Sequence, residues 1–533
     1  MSANKSQSFG LCIILIMFFK KIDFLLLLIL ALAAFFRFYN FLEYQYWSGD
    51  EEILTAVIRH IIWDRSPILI IPNSNLGFGL GPFFHYLLTP FYFVTSFNLP
   101  IVTALASIIG IATTYLMYLA GKELKDRKLG LIASFLYSSS FLMALFDRRL
   151  WPLTLDPFFA IFTVLILSKV IKRNYRLIPL LAMPIGFSFH SDPTLLVLLI
   201  SILLIWVIYR LPIINKNVLF LLFGIGIFIA PLVLAEIHYN GAVTKPIVQS
   251  LARPLRGENV TNFGFNYFNV NTLPKIFSKI IWTAPNNFIE QEFCYCNTPK
   301  EPLFPISILI SFVVFAVSFL ALFRYKSYGF RREVNTILWV ILISFFAGLL
   351  VYNRLFKGIF NEHYFVVILP ILILLLSQTF YLIYLKYRII FFLFIATYLI
   401  LNFHTLLNSN VKYPLYKKIA LVKSSLNIVG NDKFSLYSSG NPYIHGGGWT
   451  ELYTLEKHPA VKSYWYDFLG WIYAAYSLYP GPTQKEDPEI IVWILKDNER
   501  LPLDLPIISN LIYKDLRLYV LDNSKRVKEP LTN

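Results

Sequence analysis

From residue 22 to residue 404, long apolar runs alternate with short polar turns. A helix needs about 20 apolar residues, and roughly 17 at the least, to cross a bilayer. Runs near 22–39, 101–120, 129–146, 152–171, 177–190, 192–210, 217–237, 302–323, 334–352, 364–386 and 389–404 predict eleven spans. The stretch 11–19 is too short to span and stops at Lys20-Lys21. It reads as an interfacial lead-in rather than a cleaved signal, because no small-residue cleavage site follows. The expected division is an interfacial or cytoplasmic N-terminus over 1–21, a transmembrane domain over 22–404 and an extramembrane domain over 405–533.

The run 82–97 (PFFHYLLTPFYFVTSF) is settled by charge. Lys and Arg keep short loops on the cytoplasmic side of a polytopic protein. With 82–97 counted as a span, Lys122, Lys125, Arg127 and Lys128 would lie outside. Without it, the clusters at 122–128, Lys169 to Arg176, Arg324 to Arg332, and Lys386 with Arg388 share one side. The run therefore reads as a short or re-entrant helix. The opposite, outer face then collects the loop 40–100, the connection 147–156, the loop 238–301 and the tail. The tail is richer in charge and carries strand-like runs at Ile490–Ile494 and Leu516–Val520, with turns at Gly446–Gly448 and Pro480–Pro482. It reads as a small α/β domain.

Composition agrees with this layout. Hydrophobic residues make up 57%, charged residues 15%, and mean hydropathy is +0.60. That excludes a soluble enzyme and a disordered chain. A net charge of +16 would suit a nucleic-acid partner, but the cations sit in turns between spans, so none is expected. Cys12 lies in an apolar run, and Cys294 and Cys296 form a lone C-x-C pair, so three cysteines make no disulfide framework. Asn259-Val260-Thr261 is a sequon on the outer side, a tripeptide common by chance.

Span centres are almost free of charge, while acids and histidines gather at the outer ends. An ion-coupled transporter would place charges near the midplane of interrupted helices. Any chemistry therefore belongs at the outer membrane–water boundary. The candidates there are Asp50-Glu51-Glu52 after the aromatic run Tyr44 to Trp47, Asp156 behind Asp147-Arg148-Arg149, and Glu236 at a span end.

These features, in this order, resemble the polytopic lipid-linked glycosyltransferases of the GT-C fold. The branch is that of the dolichyl-phosphate-mannose–protein mannosyltransferases and the bacterial aminoarabinose transferase. The matching pieces are Arg37 closing the first span, Asp50-Glu51 in the first outer loop and GPFFHYLL (81–88). They continue with YLAGKELKDRKLG (118–130), DRRLWPLTLDP (147–157), APLVLAEIHYN (230–240) and EHYFVVILP (362–370). The chain departs where many relatives carry a Lys before Pro-Pro. Here Leu80-Gly81-Pro82 stands there, and the arginine often found shortly afterwards is missing too.

The resemblance implies an all-α polytopic GT-C-like transferase of about eleven spans plus a short re-entrant helix, with the small α/β domain appended. It would sit in the cell membrane, with active site and tail outside. It would move a hexose or pentose from a polyprenyl-phosphate-linked donor to a lipid, glycan or protein acceptor. Phosphate is a good leaving group that needs cations, while the acceptor hydroxyl needs a base. One carboxylate suffices for a single inverting displacement. Asp50 is the expected base, with Glu51 and Asp156 orienting the acceptor or holding a divalent cation. Arg148, Arg149 and Arg354 would meet the donor phosphate. His190, Glu236 and His363 are metal or acceptor candidates, with no tight metal spacing. The rivals are a protein O-mannosyltransferase within the class and a lipid-linked-sugar flippase or transporter outside it.

Overall fold

The structure is a computed structural model, and it describes residues 23–71, 79–255, 272–288, 303–324, 328–355, 362–439, 447–463, 487–497, 499–501 and 504–524. The stretch 11–19 with Cys12, the Asn259 sequon, Cys294, Cys296, Gly446 and the 480–482 turn lie outside the described residues.

Among the described residues, seven helices are long and apolar enough to cross a membrane: Leu99–Leu124, Pro152–Ile171, Lys216–His238, Ile306–Phe323, Arg332–Tyr352, Leu369–Lys386 and Arg388–Asn408. Phe24–Phe38, Phe83–Val94, Tyr175–Phe187 and Pro193–Ile208 are apolar but shorter. Two expected spans are broken. The run 129–146 divides at Ser140, whose extended backbone ends one helix and whose side chain caps the next through Met143 N. The run 177–190 starts as a 3-10 turn over Tyr175–Leu181 and continues as the helix Ala182–Phe187. Pro179 and Pro184 lack the N–H a regular helix would use.

Helix α1 (Phe24–Phe38) opens the described chain, and α2 (Gly49–Trp63) forms the first loop between the apolar helices. The acids Asp50, Glu51 and Glu52 fill the first turn of α2, where the helix dipole favours negative charge. Ser48 donates its backbone N–H (3.0 Å) and its hydroxyl (2.7 Å) to Glu51 Oε2, which fixes the entry to that turn. Helix α3 (Phe83–Val94) has 12 residues, about 18 Å of rise. That is far less than a bilayer's hydrocarbon core. Ser96 and Phe97, both at positive φ, then reverse the chain into α4 (Leu99–Leu124).

The basic turns meet at one end of the bundle. Lys169 (2.7 Å), Lys172 and Arg331 (2.6 Å) converge on Glu123, Arg127 pairs with Asp23, and Lys128 and Arg388 flank the Tyr384 ring.

At the other end, helix α5 (Asp156–Ile171) begins at Asp156, and α6 (Lys216–His238) is followed by α7 (Thr244–Leu255). Here the tail is seated on the loops. It consists of α8 (Leu415–Val429), β1 (Phe434–Ser438), α9 (Thr450–Leu455), β2 (Lys462–Ser463), β3 (Ile490–Lys496), β4 (Ile507–Tyr513) and β5 (Leu516–Asp522). The strands form one mixed sheet in the order β2-β1-β3-β5-β4, parallel on the β1 side and antiparallel on the β5 side. Leu516, Leu518 and Val520 point inward while Arg517 and Tyr519 do not, the alternation expected of a half-buried strand. Residues 490–494 and 516–520, marked as strand-like in the sequence, lie in β3 and β5.

Candidate active site

Arg149 is the hub. Its Nε donates to Glu51 Oε1 at 2.5 Å and its Nη2 to Asp50 Oδ2 at 3.0 Å, while the guanidinium lies 4.0 Å from the Trp151 ring centre. Thr154 donates its hydroxyl to the Arg149 carbonyl (2.9 Å), fixing the tight turn that ends in α5. The two acids are unequal. The Glu51 side chain is 2% exposed and that of Asp50 37%, so Asp50 presents the accessible oxygen. Desolvation pushes Asp50 up to about 6 against the pull of Arg149, with Glu51 and Asp192 adding to the rise. Desolvation also pushes Glu51 up, but Arg149 and Ser48 outweigh it and hold that carboxyl below its ordinary range. The pair thus divides into a fixed anion and an adjustable one.

Asp156 is fully buried in the first turn of α5 and accepts from the Thr194 hydroxyl (3.1 Å) on Oδ2. Its Oδ1 has no hydrogen-bond partner among the described residues. Asp192 lies near both Asp156 and Asp50, and its charge acts on each. Burial raises Asp192 as well, and its Oδ1 accepts from Thr194 N at 2.9 Å. Asp192 is not among the acids that stand out in the sequence. Its signal was the Asp192-Pro193-Thr194 start of an apolar helix, a capping pattern that hides its closeness to Asp50.

The other candidates are placed differently. Arg148 is fully buried and donates to the carbonyls of Phe36, Arg37 (3.0 Å) and Tyr39 (2.9 Å), closing the end of α1. Burial brings it down to about 9. His190 spans two backbone groups, Phe83 N at 3.2 Å and Phe228 O at 2.7 Å. A Cβ on Gly81 would sit 2.0 Å from its ring, so the glycine at the departing Leu80-Gly81-Pro82 makes room for that histidine. Glu236 caps α7, accepting from Val243 N (2.8 Å), Thr244 N (3.0 Å) and the Thr244 hydroxyl. His363 is buried edge-on against Trp151, 5.3 Å between ring centres, and its Nδ1 has no hydrogen-bond partner among the described residues. Burial and the Arg149 charge lower it to about 3. Arg354 lies in the last turn of Arg332–Leu355, and its side chain is outside the described residues. Asp50, Glu51, Arg149 and Asp156 are thus brought to one place, with His363 behind Trp151. Arg148, His190 and Glu236 hold backbone instead.

Glu52 belongs to the acidic run singled out in the sequence, but its separate role was not legible there. It is 1% exposed, and its carboxylate accepts from Gly448 N (2.8 Å) and Glu451 N (2.7 Å) in the tail. Burial pushes it up to about 8, against those amides and Lys418. Asp50-Glu51-Glu52 reads as one acidic run, but consecutive helical residues point about 100° apart and meet different partners.

No protein-family model and no curated protein matches the sequence. Solved structures do match. ArnT from Cupriavidus metallidurans bound to undecaprenyl phosphate superposes with a TM-score of 0.56 at 9% identity, over 93% of this chain and 97% of ArnT. The apo state of ArnT gives 0.53 at 9% identity over the same shares. This chain has the GT-C fold. A looser match to the Archaeoglobus fulgidus oligosaccharyltransferase in complex with Zn and sulfate has a TM-score of 0.45 at 13% identity, over 88% of this chain and 67% of that one.

The acids also test the expected divalent cation. No three His, Cys, Asp or Glu side chains among the described residues form a group that could hold a metal ion. Two of the acids are instead occupied by Arg149. The described donors therefore offer a metal ion no ready ligand set.

Proposed function

We propose that this chain is an integral membrane glycosyltransferase that moves a sugar from a polyprenyl-phosphate donor to an acceptor hydroxyl at the outer face of the cell membrane. The observation that carries this reading is Asp50: an accessible carboxylate, raised to about 6, held by Arg149 beside the low-lying Glu51 in a GT-C fold. The ArnT structure that shares the fold contains undecaprenyl phosphate, which supports a lipid-phosphate donor.

In the proposed step, the acceptor oxygen forms a bond to the anomeric carbon while the carbon–phosphate oxygen bond breaks. The acceptor proton passes to Asp50, and polyprenyl phosphate leaves with the bonding pair. A base near pH 6 is well matched to this task, because it is ionised at neutral pH yet more basic than an ordinary aspartate. Glu51 would stay ionised and hold Arg149 in place. Asp156, with its unpartnered oxygen, would accept a hydrogen bond from the acceptor or the sugar. Arg149 and Arg354 would face the donor phosphate, whereas Arg148 is committed to the end of α1.

The test is reconstitution into liposomes with a radiolabelled polyprenyl-phosphate sugar and a membrane glycan or peptide acceptor. Label passing from lipid to acceptor, and stopped by Asp50→Asn, supports the reading. Label that only changes leaflet identifies a flippase and removes it.

A further inference from the structure

The tail grips α2 on the side opposite Arg149. Asp50 and Glu51 are bound by Arg149, from the membrane unit. Glu52, in the same turn, is bound by two backbone amides of the tail, Gly448 and Glu451. Residues two apart on a helix lie about 200° apart around its axis, so the membrane unit and the tail hold this single turn from opposite sides.

The grip has several independent parts. Arg59, two turns further along α2, forms a buried ion pair with the Glu451 carboxylate (2.7 Å), so Glu451 is held both at its amide and at its side chain. Trp47 donates its indole N–H to Gly448 O at 2.5 Å. Buried Lys418 on α8 donates to Trp47 O (2.7 Å) and Gly447 O (3.1 Å). Gly448 sits at φ +83, and a Cβ there would lie 2.5 Å from Trp47 Cδ1. Only glycine accepts both that backbone and that closeness.

We propose that Glu52 is a positioning residue, which locks the 447–451 segment of the tail onto the first turn of α2 and so sets where Asp50 stands relative to the acceptor. This rests on the glycosyltransferase reading above. With both amides released, the first turn loses its direct tie to the tail while Arg59 and Trp47 still hold the neighbouring backbone, and Asp50 gains freedom to pivot about Arg149. A displacement of about 1 Å at a reacting group lowers turnover by up to about 10²-fold. The tail is then a component of the active site that never touches substrate.

The experiment compares Glu52→Ala, Glu52→Gln, Trp47→Phe and Asp50→Asn, each purified as a monodisperse full-length protein, by kcat, donor KM and the pH dependence of transfer. Glu52→Gln keeps one acceptor oxygen and turns an amide NH2 toward the second backbone N–H. Trp47→Phe removes the donor to Gly448 O and trims a buried ring, leaving the Glu52 contacts in place. The expected result is a kcat lowered about 10- to 100-fold by either Glu52 variant and less by Trp47→Phe. Donor KM stays near wild type, and the acid limb moves away from its wild-type position. A fold-stabilising role alone would lower the yield of folded protein and leave the kcat and pH profile of the folded fraction unchanged; that result overturns the proposal. Should the Glu52 variants not fold, Trp47→Phe decides by the same two readouts. Wild-type transfer by Asp50→Asn overturns both this proposal and the function on which it rests. Loss in Asp50→Asn with intact Glu52 and Trp47 variants overturns the positioning role alone.

Discussion

Asp50 and Glu51 are neighbours in sequence and share one arginine, yet their environments separate them. Two donors from Ser48 and the Arg149 guanidinium outweigh the burial of Glu51 and keep it an anion. Desolvation, helped by the charges of Glu51 and Asp192 and opposed by Arg149, holds Asp50 near 6. Asp50→Asn keeps shape and hydrogen bonding and removes the basic lone pair. Transfer should fall about 10²–10⁴-fold with donor affinity little changed, read from single-turnover rates and donor binding measured separately. The pH dependence follows from the same group. The base works deprotonated, so kcat/KM should fall as pH drops through about 6, and Asp50→Asn should flatten that limb. Arg149→Lys should weaken transfer too, because a lysine cannot span both carboxylates as the guanidinium fork does. Arg148→Lys should instead lower thermal stability, by removing the donors that close α1, and this is checked by melting in detergent.

At the scale of elements, apolar runs predict where helices are but not where they break. The run 129–146 is uniformly apolar enough to be one span, and Ser140 divides it because its hydroxyl offers the next helix a cap. Charge placement was more informative. The one-sided basic turns predicted a short helix over 82–97, and α3 with its reversal at Ser96 and Phe97 is that helix. The acids at 50, 51 and 156 were legible because a carboxylate beside a span has few apolar reasons to be there. Arg148 was not separable from Arg149 in sequence, since the direction of a side chain at a tight turn depends on the end of α1, far away in the chain. Asp192 and Glu52 were hidden for the same reason: each looks like an ordinary helix-start acid until the partner element is in place. Gly81→Ala tests this scale. The added methyl would meet the His190 ring at 2.0 Å and push α3 from α6, so thermal stability should fall by about 1–3 kcal/mol, the range of an overpacked site. A melting curve matching wild type would show that His190 yields at no cost.

The whole molecule has a bundle with basic turns at one end and a sheet domain at the other, and the candidate site lies between bundle and sheet. Cysteine placed at position 125, beside Lys128 and the Glu123 cluster, should be shielded from an impermeant reagent in intact cells. A cysteine at 432, at the start of the sheet domain, should be labelled. Removal of 410–533 should leave the apolar helices inserted, because each carries its own driving force, yet stop transfer. The cut strips Glu52 of both its amide donors and uncovers Trp47.

The joint between Glu52 and Gly448 also imposes an order in time. Its two ends are 396 residues apart. At about 5–20 residues per second, a ribosome needs roughly 20–80 s to make the second after the first. During that interval the first loop already holds Asp50 and Glu51, but the partner of Glu52 does not exist. Under the positioning role proposed above, the growing chain has donor-facing chemistry without a seated base. Competence then arrives only when the C-terminal segment has been made, moved to the same side and folded onto α2. The 447–451 segment would then serve as a completion check, and a chain stopped before it would be inserted with its transfer lowered.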